Sequence, residues 1–398
     1  MKANWDVAQA KDFTSIASDF MKILFVVGAY SMRGNGMSAS ARATVSRLRA
    51  AGEDVRVLAI REPSSPEEEK PDYPLKKNII PIFQPIIDKH SFCFPNSDKK
   101  IIEEAVKWAD VVHLEEPFPL QAKTARIANR LGVPCVATYH LHPENIFYTL
   151  HMGRWRFLNH FFLMWWRRRV FNKCSDVQCP SANAKSRLII NKFSARLHVI
   201  PNGLDIRKDI EPSRPETSPY LILTIGRFSR EKDQNTLIEA MKYSRYADEI
   251  QLYFAGHGPI ENSIRRKAAA LDMKYPPKFG FHTPEELREL ENKAYLYIHC
   301  AVVEVEGLSC IEALREGAVP VIGRSRLSAT SQFALCPASI FQAGNPRQLA
   351  ERIDWWIEHP EKREEMSSKY SESMLKYDIK YSIEALRQMY ATAVNERA

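Results

Sequence analysis

The residues best suited to chemistry are the carboxylates and glycine of a short loop that enters a helix. Glu304, Glu306 and Gly307 lie in the loop, and Glu312 follows Glu304 after seven intervening residues. The free N–H groups at the start of a helix can hold a phosphate, and carboxylates can accept hydrogen bonds from sugar hydroxyls. This stretch therefore indicates a ligand site. The alternative is an ordinary helix whose first turn is acidic.

Two cations follow another apolar stretch of the chain. Arg227 comes directly after the apolar run 220–226, and Lys232 lies six residues after Gly226. Cations at the end of a strand and near the start of a helix can clamp a diphosphate. On their own, they could equally form a solvated charged surface.

A histidine-rich segment ends a further apolar run. His140 closes the run 136–140 and begins the sequence His-Leu-His-Pro-Glu-Asn, which adds His142, Glu144 and Asn145. An imidazole at this position could orient a ligand. The alternative is a core histidine whose ring nitrogens are satisfied internally.

The segment 154–173 has the most unusual composition of the chain. It interleaves rings and cations, namely Trp155, Phe157, Phe161, Phe162, Trp165 and Trp166 with Arg154, Arg156, Arg167, Arg168 and Arg169. Trp and Arg together suit the headgroup layer of an anionic membrane, and the apolar run is too short to span a bilayer. A helix buried beneath a sheet is the main alternative. Nucleic-acid binding is disfavoured because no recognition fold surrounds the segment.

The elements that position these residues form a repeating strand–helix pattern. Continuous apolar runs at 21–28, 294–301 and 318–322 predict buried parallel strands. Residues 309–316 predict a helix that ends before Gly317, where a left-handed backbone is needed.

The chain of 398 residues is long enough for two α/β domains. We expect an extension at 1–20, a first domain at 21–206, a linker at 207–219 and a second domain at 220–376. Gly34 and Gly36 lie in the turn after the first strand, where glycines let the backbone approach a ligand closely.

Taken as a set, these motifs resemble the retaining nucleotide-sugar glycosyltransferases of family 4, which have the GT-B fold. The resemblance is carried by Glu304 and Glu312, by the Gly-Arg-x-x-x-Glu-Lys segment at 226–232, and by Gly-His-Gly-Pro at 256–259. It implies two Rossmann-like, doubly wound domains that face each other across a cleft. It also implies that a C-terminal helix, here 380–396, packs back on the first domain.

The resemblance also implies a role for each matched residue. His140 and Glu304 would act at the transferred sugar, and Glu312 would bind the ribose. The diphosphate would be bound by Arg227, Lys232, Gly34 and Gly36. The loops around the nucleotide and sugar would comprise Gly256, Gly258, Pro259, Phe281, Glu306, Gly307, Leu308 and Ser309.

A narrower resemblance concerns the acceptor. The segment 140–145, and Val305-Glu306 in place of the usual aromatic–glycine pair, are similar to glycosyltransferases that glucosylate diacylglycerol. This implies UDP-glucose or UDP-galactose as donor and diacylglycerol or a ceramide-like lipid as acceptor, with His142, Glu144 and Asn145 on the acceptor side. Two alternatives remain: a related enzyme for capsule, lipopolysaccharide or soluble acceptors, and a non-catalytic nucleotide-sugar-binding or membrane scaffold protein.

Composition limits the partners and the compartment. A net charge of +8 favours an anionic partner, and the site segments lack an Asp-x-Asp metal pair, so we expect no metal and no cofactor beyond the donor. Seven cysteines without a Cys-x-x-Cys pair favour reduced thiols. No apolar run reaches the roughly 18 residues of a bilayer span. We expect a cytoplasmic enzyme bound peripherally to the inner face of the cell membrane, with no nucleic-acid partner.

Overall fold

The computed structural model describes residues 20–32, 36–62, 66–79, 94–149, 155–206 and 217–396. Contacts divide the chain into two compact units. The first comprises the described residues of Met1–Pro143, Trp155–Gly203 and Ile379–Ala398, and the second those of Glu144–Arg154 and Leu204–Asp378.

Strands and helices alternate along both units. The strands are β1 Lys22–Val26, β2 Asp54–Ile60, β3 Tyr73–Leu75, β4 Val111–Leu114, β5 Cys135–Thr138, β6 Asp176–Cys179, β7 Arg196–Val199, β8 Tyr220–Ile225, β9 Ile250–Ala255, β10 Lys278–Gly280, β11 Leu296–His299, β12 Val303–Glu304, β13 Val319–Arg324, β14 Leu327–Ser328 and β15 Ile340–Gln342. The α-helices are α1 Gly36–Ala50, α2 Lys99–Trp108, α3 Pro119–Leu131, α4 Pro143–Thr149, α5 Arg156–Arg169, α6 Ala182–Ile190, α7 Gln234–Ala240, α8 Glu261–Ala269, α9 Pro284–Lys293, α10 Leu308–Arg315, α11 Pro346–Glu358, α12 Pro360–Ser373 and α13 Ile379–Asn395.

The first unit is built on a seven-stranded parallel sheet in the order β3-β2-β1-β4-β5-β6-β7. After the exposed Lys22, the strand β1 is a run of buried apolar side chains, as a parallel strand covered on both faces requires. The last helix, α13, packs on this sheet. Its Tyr390 lies in the same core as Phe25 and Val111, and its hydroxyl is 2.6 Å from His113 Nδ1.

The second unit repeats this architecture. Its six-stranded parallel sheet has the order β10-β9-β8-β11-β13-β15, and β12 pairs with β14 in a separate short sheet. Leu223, Phe254 and Trp356 belong to its buried core. The prediction of an α/β fold with two parallel-sheet domains is confirmed.

Local predictions around the loops are also confirmed. Gly317 follows α10 with φ of 81°, which is the left-handed conformation expected after a helix end. Helix α1 begins at Gly36, which the sequence analysis placed in the turn before it, while Gly34 lies outside the described residues.

In each sheet the strand order reverses beside the first strand of the unit. The reversal falls between β1 and β4 in the first sheet and between β8 and β11 in the second. Ligands of doubly wound sheets bind beyond the carboxyl ends of the strands at such a point. The loops after these four strands are therefore the places where each unit can hold a ligand.

Candidate active site

The second unit places a cation and a carboxylate in direct contact at its reversal point. Lys232 ends a 3₁₀ turn, Arg230–Lys232, in the loop after β8, and its ammonium pairs with Glu304 Oε2 at the end of β12. Burial opposes ionisation of Glu304, but the charge of Lys232 and the interaction with the His299 ring outweigh it and lower its pKa to about 2. Two residues that the sequence predicted separately are thus brought together as an ion pair.

Arg227 lies in the same loop and is half-buried. Its backbone carbonyl accepts a hydrogen bond of 3.0 Å from Gln234 Nε2, which ties the loop to the start of α7. Burial lowers the pKa of its guanidinium, while the neighbouring Glu231 raises it. A guanidinium remains charged at any physiological pH, so this loop carries two half-buried cations, Arg227 and Lys232, besides the exposed Arg230.

The loop after β9 is packed tightly against the loop after β8. A Cβ on Gly256 would lie 2.1 Å from the Gly226 carbonyl oxygen, and one on Gly258 would lie 2.4 Å from the Phe228 carbonyl oxygen. Only glycine fits at either position, so both glycines fix the shape of the cation-bearing loop. Pro259 follows them directly.

Helix α10 begins at this site. Gly307 precedes it with φ of 98°, and a Cβ there would lie 2.4 Å from Thr330 Cγ2. Leu308 and Ser309 form the first turn, whose backbone N–H groups suit a phosphate. Glu306, in the loop before the helix, is buried.

Glu312 lies on α10, is half-buried, and is a neighbour of the buried Glu291 of α9. Burial raises the pKa of Glu312, although Arg288 acts in the opposite direction. Burial and the neighbouring Glu312 raise the pKa of Glu291 well above its ordinary value. A carboxyl in this setting can hydrogen-bond a hydroxyl of a ligand.

Phe281 is the aromatic residue among the predicted nucleotide-loop residues. It follows β10, is 62% exposed, and makes an edge contact with the His257 ring at 4.5 Å between centroids. An exposed ring can cover one face of a planar base.

The first unit holds His140 through a carboxylate, Glu115, that the sequence analysis did not assign to the site. His140 follows β5, and its Nε2 lies 2.5 Å from Glu115 Oε2; Glu115 Oε1 lies 3.1 Å from His113 Nε2. Burial disfavours the Glu115 carboxylate, but the charge of His140 and the hydrogen bonds from both histidines lower its pKa to about 2. The signal that could have found Glu115 is its position directly after β4, at the reversal point.

The neighbouring Glu116 behaves in the opposite way. It accepts a 2.8 Å hydrogen bond from the Gly28 backbone N–H in the loop after β1, and it contacts the Gln121 amide. Burial, with the nearby charge of Glu115, raises its pKa to about 8. Two adjacent carboxyls therefore differ in charge at neutral pH because both histidines lie directly against Glu115.

The predicted acceptor-side residues need one correction. His142 is fully buried and its Nδ1 lies 2.9 Å from the Tyr139 hydroxyl. It is therefore a core residue, and the prediction that it faces an acceptor is wrong. Glu144 and Asn145 lie in the first turn of α4. Among the residues that the structure describes, none lies within 4 Å of a Cβ placed on Gly36 at the start of α1, so packing against them does not require glycine there.

The aromatic and basic segment forms helix α5, and its two faces differ. Asn159, Leu163 and Trp166 are buried on one face, and the Trp166 ring makes an edge contact with Phe118. The prediction that Trp166 faces a membrane is therefore wrong, because the helical period turns it into the core. Exposed side chains on or beside the helix are Trp155, Phe157, Phe161, Arg168 and Arg169, whereas Phe162, Trp165 and Arg167 are half-buried.

The residues that the structure describes contain no group of three or more His, Cys, Asp or Glu side chains arranged to hold a metal ion. They also contain no helix with the length and apolar character needed to cross a bilayer.

Comparison with known families identifies the chain. The family model described as Glycosyltransferase Family 4 matches residues 34–208, and the one described as Glycosyl transferases group 1 matches residues 205–372. The chain belongs to the family 4 glycosyltransferases. Its fold is the GT-B fold of this family.

The chain is similar to three proteins of other organisms, over different shares of its length. Alpha-monoglucosyldiacylglycerol synthase of Streptococcus pneumoniae is 26% identical over 54% of this chain and 51% of its own, so the chain spans about half of that relative. The solved catalytic domain of cholesterol-alpha-glucosyltransferase from Helicobacter pylori is 42% identical over 40% of this chain and 99% of its own, with a TM-score of 0.38. Anabaena HepE, solved with UDP and glucose, has a TM-score of 0.70 at 16% identity, over 93% of this chain and 99% of its own, and shows the shared fold.

Proposed function

We propose that this glycosyltransferase moves a hexose, with retention of configuration, from UDP-glucose or UDP-galactose to the hydroxyl of a lipid such as diacylglycerol or ceramide. One observation carries the proposal: Lys232 pairs with Glu304 beside Gly307, the residue before α10, at the reversal point of the second sheet, and Arg227 lies in the same loop as Lys232. This set of groups offers cations and backbone N–H donors to a diphosphate, and a carboxylate to the sugar beside it.

The cations would act on the leaving group. As the bond between the sugar C1 and the diphosphate oxygen breaks, negative charge grows on the diphosphate. Arg227, Lys232 and the N–H groups of the first turn of α10 would stabilise that charge, and fixed charges in a partly buried site do so without reorganisation. Two cations would also take the place of a divalent ion, so we propose that the enzyme needs no metal.

The remaining groups would position the sugar and the nucleoside. Glu312 would bind the ribose, Glu304 would accept hydrogen bonds from sugar hydroxyls, and His140 would orient the sugar. The acceptor oxygen would bond to C1 on the side that the diphosphate leaves, and the acceptor proton would pass to a diphosphate oxygen. Bond formation on the same side gives retention without a protein nucleophile.

The acceptor assignment has two supports. One is the similarity to a relative named for diacylglycerol glycosylation. The other is an exposed surface that we call the α5 surface, formed by Trp155, Phe157, Phe161, Arg168 and Arg169. Arg167 Nη1 donates to the Asn191 carbonyl at 2.7 Å, so the end of α6, with its exposed Ile189 and Ile190, adjoins this helix. We propose that the α5 surface holds the enzyme on the cytoplasmic, anionic face of the cell membrane.

A donor-by-acceptor screen tests the proposal. Purified protein is incubated with UDP-glucose, UDP-galactose or GDP-mannose and with diacylglycerol, ceramide, a sterol or a soluble sugar, with and without EDTA. We expect an α-linked glycolipid from a UDP-hexose, identified by mass and anomeric configuration, and undiminished by chelation. A β-linked product would exclude retention, transfer only to a soluble sugar would exclude the lipid acceptor, and loss of activity in EDTA would exclude metal independence.

A further inference from the structure

A buried histidine beside Glu304 has no assigned role. His299 ends β11 and is 3% exposed, and its Nε2 lies 3.6 Å from Glu304 Oε2. Among the described residues, this nitrogen has no hydrogen-bond partner. A buried polar nitrogen without a partner is costly, and such exceptions in a folded protein call for a functional explanation.

The other ring nitrogen is held in place from within the core. His299 Nδ1 lies 3.0 Å from the Tyr297 hydroxyl, which lies 3.1 Å from Ser309 Oγ. Burial raises the pKa of Tyr297 well above its ordinary value, so the phenol keeps its proton. When Ser309 donates to Tyr297 and Tyr297 donates to Nδ1, the neutral imidazole carries its own hydrogen on Nε2, which faces Glu304.

The ring is neutral in this environment. Burial lowers the pKa of His299, although Glu304 acts against that effect. His299 can therefore supply one N–H to the carboxylate without adding a second positive charge beside Lys232.

Glu304 thus has two potential partners for a single oxygen. Lys232 contacts Oε2 now, and the imidazole nitrogen lies just beyond hydrogen-bonding distance of the same atom. A diphosphate at this site would attract the Lys232 ammonium away from the carboxylate. The carboxylate would then remain ionised in a mostly buried position, which is unfavourable without a replacement donor.

We infer that His299 is a positioning residue that takes over Glu304 when Lys232 turns to the diphosphate of the donor. The Nε2–H of His299 then donates to Oε2, and this bond holds the carboxylate in the orientation in which it meets the sugar hydroxyls. The small gap at 3.6 Å is closed by a rotation of the Glu304 side chain once the ammonium has left. This inference rests on the proposed donor site.

Two amide substitutions separate this role from a merely structural one. The terminal nitrogen of Gln in His299→Gln occupies roughly the position of Nε2 and can reach Glu304. The shorter His299→Asn reproduces Nδ1, keeps a partner for Tyr297, and cannot reach Glu304. Both variants are polar and of similar size, so their effects on folding should be alike, which thermal unfolding of each variant checks.

UDP and UMP are the binding probes, because only UDP carries the second phosphate that would draw Lys232 from Glu304. We expect His299→Asn to weaken UDP binding and lower kcat by about 10- to 100-fold, as loss of a hydrogen bond to a charged group does, while UMP affinity stays unchanged. His299→Gln should stay within about threefold of wild type in all three quantities. In a Glu304→Gln background, His299→Asn should have no further effect, because no charge is left to hold.

The outcomes separate this inference from the proposed function. If wild-type protein binds UDP and transfers sugar, yet the Asn and Gln variants behave alike, the His299 inference is wrong and the donor site stands. Equal weakening of UDP and UMP by His299→Asn would also overturn it, because that pattern indicates general damage. Failure of the wild-type protein to bind any nucleoside diphosphate would instead reject the donor site itself.

Discussion

Glu115 Oε2 lies 2.5 Å from His140 Nε2 and joins the residue after β4 to the residue that follows β5. The contact fixes the orientation of the His140 ring, and His113 Nε2 lies 3.1 Å from the other carboxylate oxygen, Oε1. A carboxylate that orients an imidazole and sets its protonation is a recurring device of active sites. The first unit therefore presents a preorganised histidine, not an isolated one.

Replacement of Glu115 by Gln should lower turnover by about 10- to 100-fold, because a neutral amide holds the His140 ring and its charge less firmly. UDP affinity should remain as in wild type, since the diphosphate cations lie in the second unit. Steady-state kinetics and calorimetry with UDP measure the two quantities. A kcat equal to that of wild type would show that the contact has no role in turnover.

Replacement of Lys232 by Met should lower kcat/KM by roughly 100- to 1,000-fold, the usual cost of removing one charged stabiliser of a developing anion. Arg230 provides the matched control, since it lies in the same 3₁₀ turn and carries the same charge. Arg230→Met should change kcat/KM by less than about threefold. Equal losses in both variants would indicate a general electrostatic effect and contradict a specific clamp.

Much of the fold could be predicted because parallel strands covered on both faces must be continuous apolar runs. Lys22–Val26 and Leu296–His299 are such runs, and Gly317 marks a helix end for a purely local reason. The contacts of the site could not be predicted in this way. Lys232 and Glu304 are far apart in the chain, and their pairing depends on two side-chain directions that sequence periodicity does not encode.

The helix α5 shows a second limit. Its rings occur at nearly every position of the helical repeat, so the composition could not distinguish the face that packs on Phe118 from the face that is exposed. His142 illustrates the same problem for a polar residue. Its Nδ1 is held by the Tyr139 hydroxyl in the core, although its neighbours in the motif suggested a ligand.

Substitution of Glu312 and substitution of Glu304 should affect different quantities, UDP affinity for the first and kcat for the second. Glu312→Ala should weaken UDP binding, because its proposed partner is the ribose. Glu304→Ala should mainly lower kcat, because its proposed partner is the transferred sugar. Calorimetry with UDP and initial rates with the sugar donor measure these effects, and unchanged UDP affinity in Glu312→Ala would show that the ribose assignment is wrong.

Glu116 should make the native state less stable as pH rises. Its pKa is raised to about 8 in the fold, whereas in the unfolded chain it is an ordinary carboxyl. Above pH about 4.5 the unfolded chain loses this proton and the native state keeps it, so the stabilisation is present at low pH and lost as pH rises towards 8. The slope is up to about 1.4 kcal/mol per pH unit.

Glu116→Gln removes the titrating carboxyl and should flatten the dependence of the free energy of unfolding on pH. Urea unfolding at pH 5, 6, 7 and 8 measures the free energy of unfolding of both proteins. We expect the free energy of unfolding of the variant to rise relative to that of wild type at each step upward in pH. Parallel curves would show that Glu116 is ionised in the native state.

Membrane binding should depend on the exposed rings of the α5 surface and on its arginines in different ways. Phe157 and Phe161 are 84% and 55% exposed, and Arg168 and Arg169 follow them on the same helix. Ring insertion is an apolar effect that salt screens little, while each cation near an anionic surface contributes about 1 kcal/mol that salt does screen. Binding should therefore rise with anionic lipid content and weaken, without vanishing, at high salt.

The double change Phe157→Ser and Phe161→Ser should lower partitioning into phosphatidylglycerol vesicles by at least about tenfold at any salt concentration, because exposed rings contribute to membrane binding and not to the core. Arg168→Gln with Arg169→Gln should lower it only at low salt. The matched control is Leu335→Ser with Leu375→Ser, two exposed apolar side chains of the second unit, which should leave partitioning unchanged. UDP affinity should be the same in all three. If the Phe variant sediments with vesicles as wild type does, the enzyme meets its lipid through another surface. The two substitutions remove the exposed rings and leave Trp166 and the core of α5 intact, so a folding defect would not explain that result.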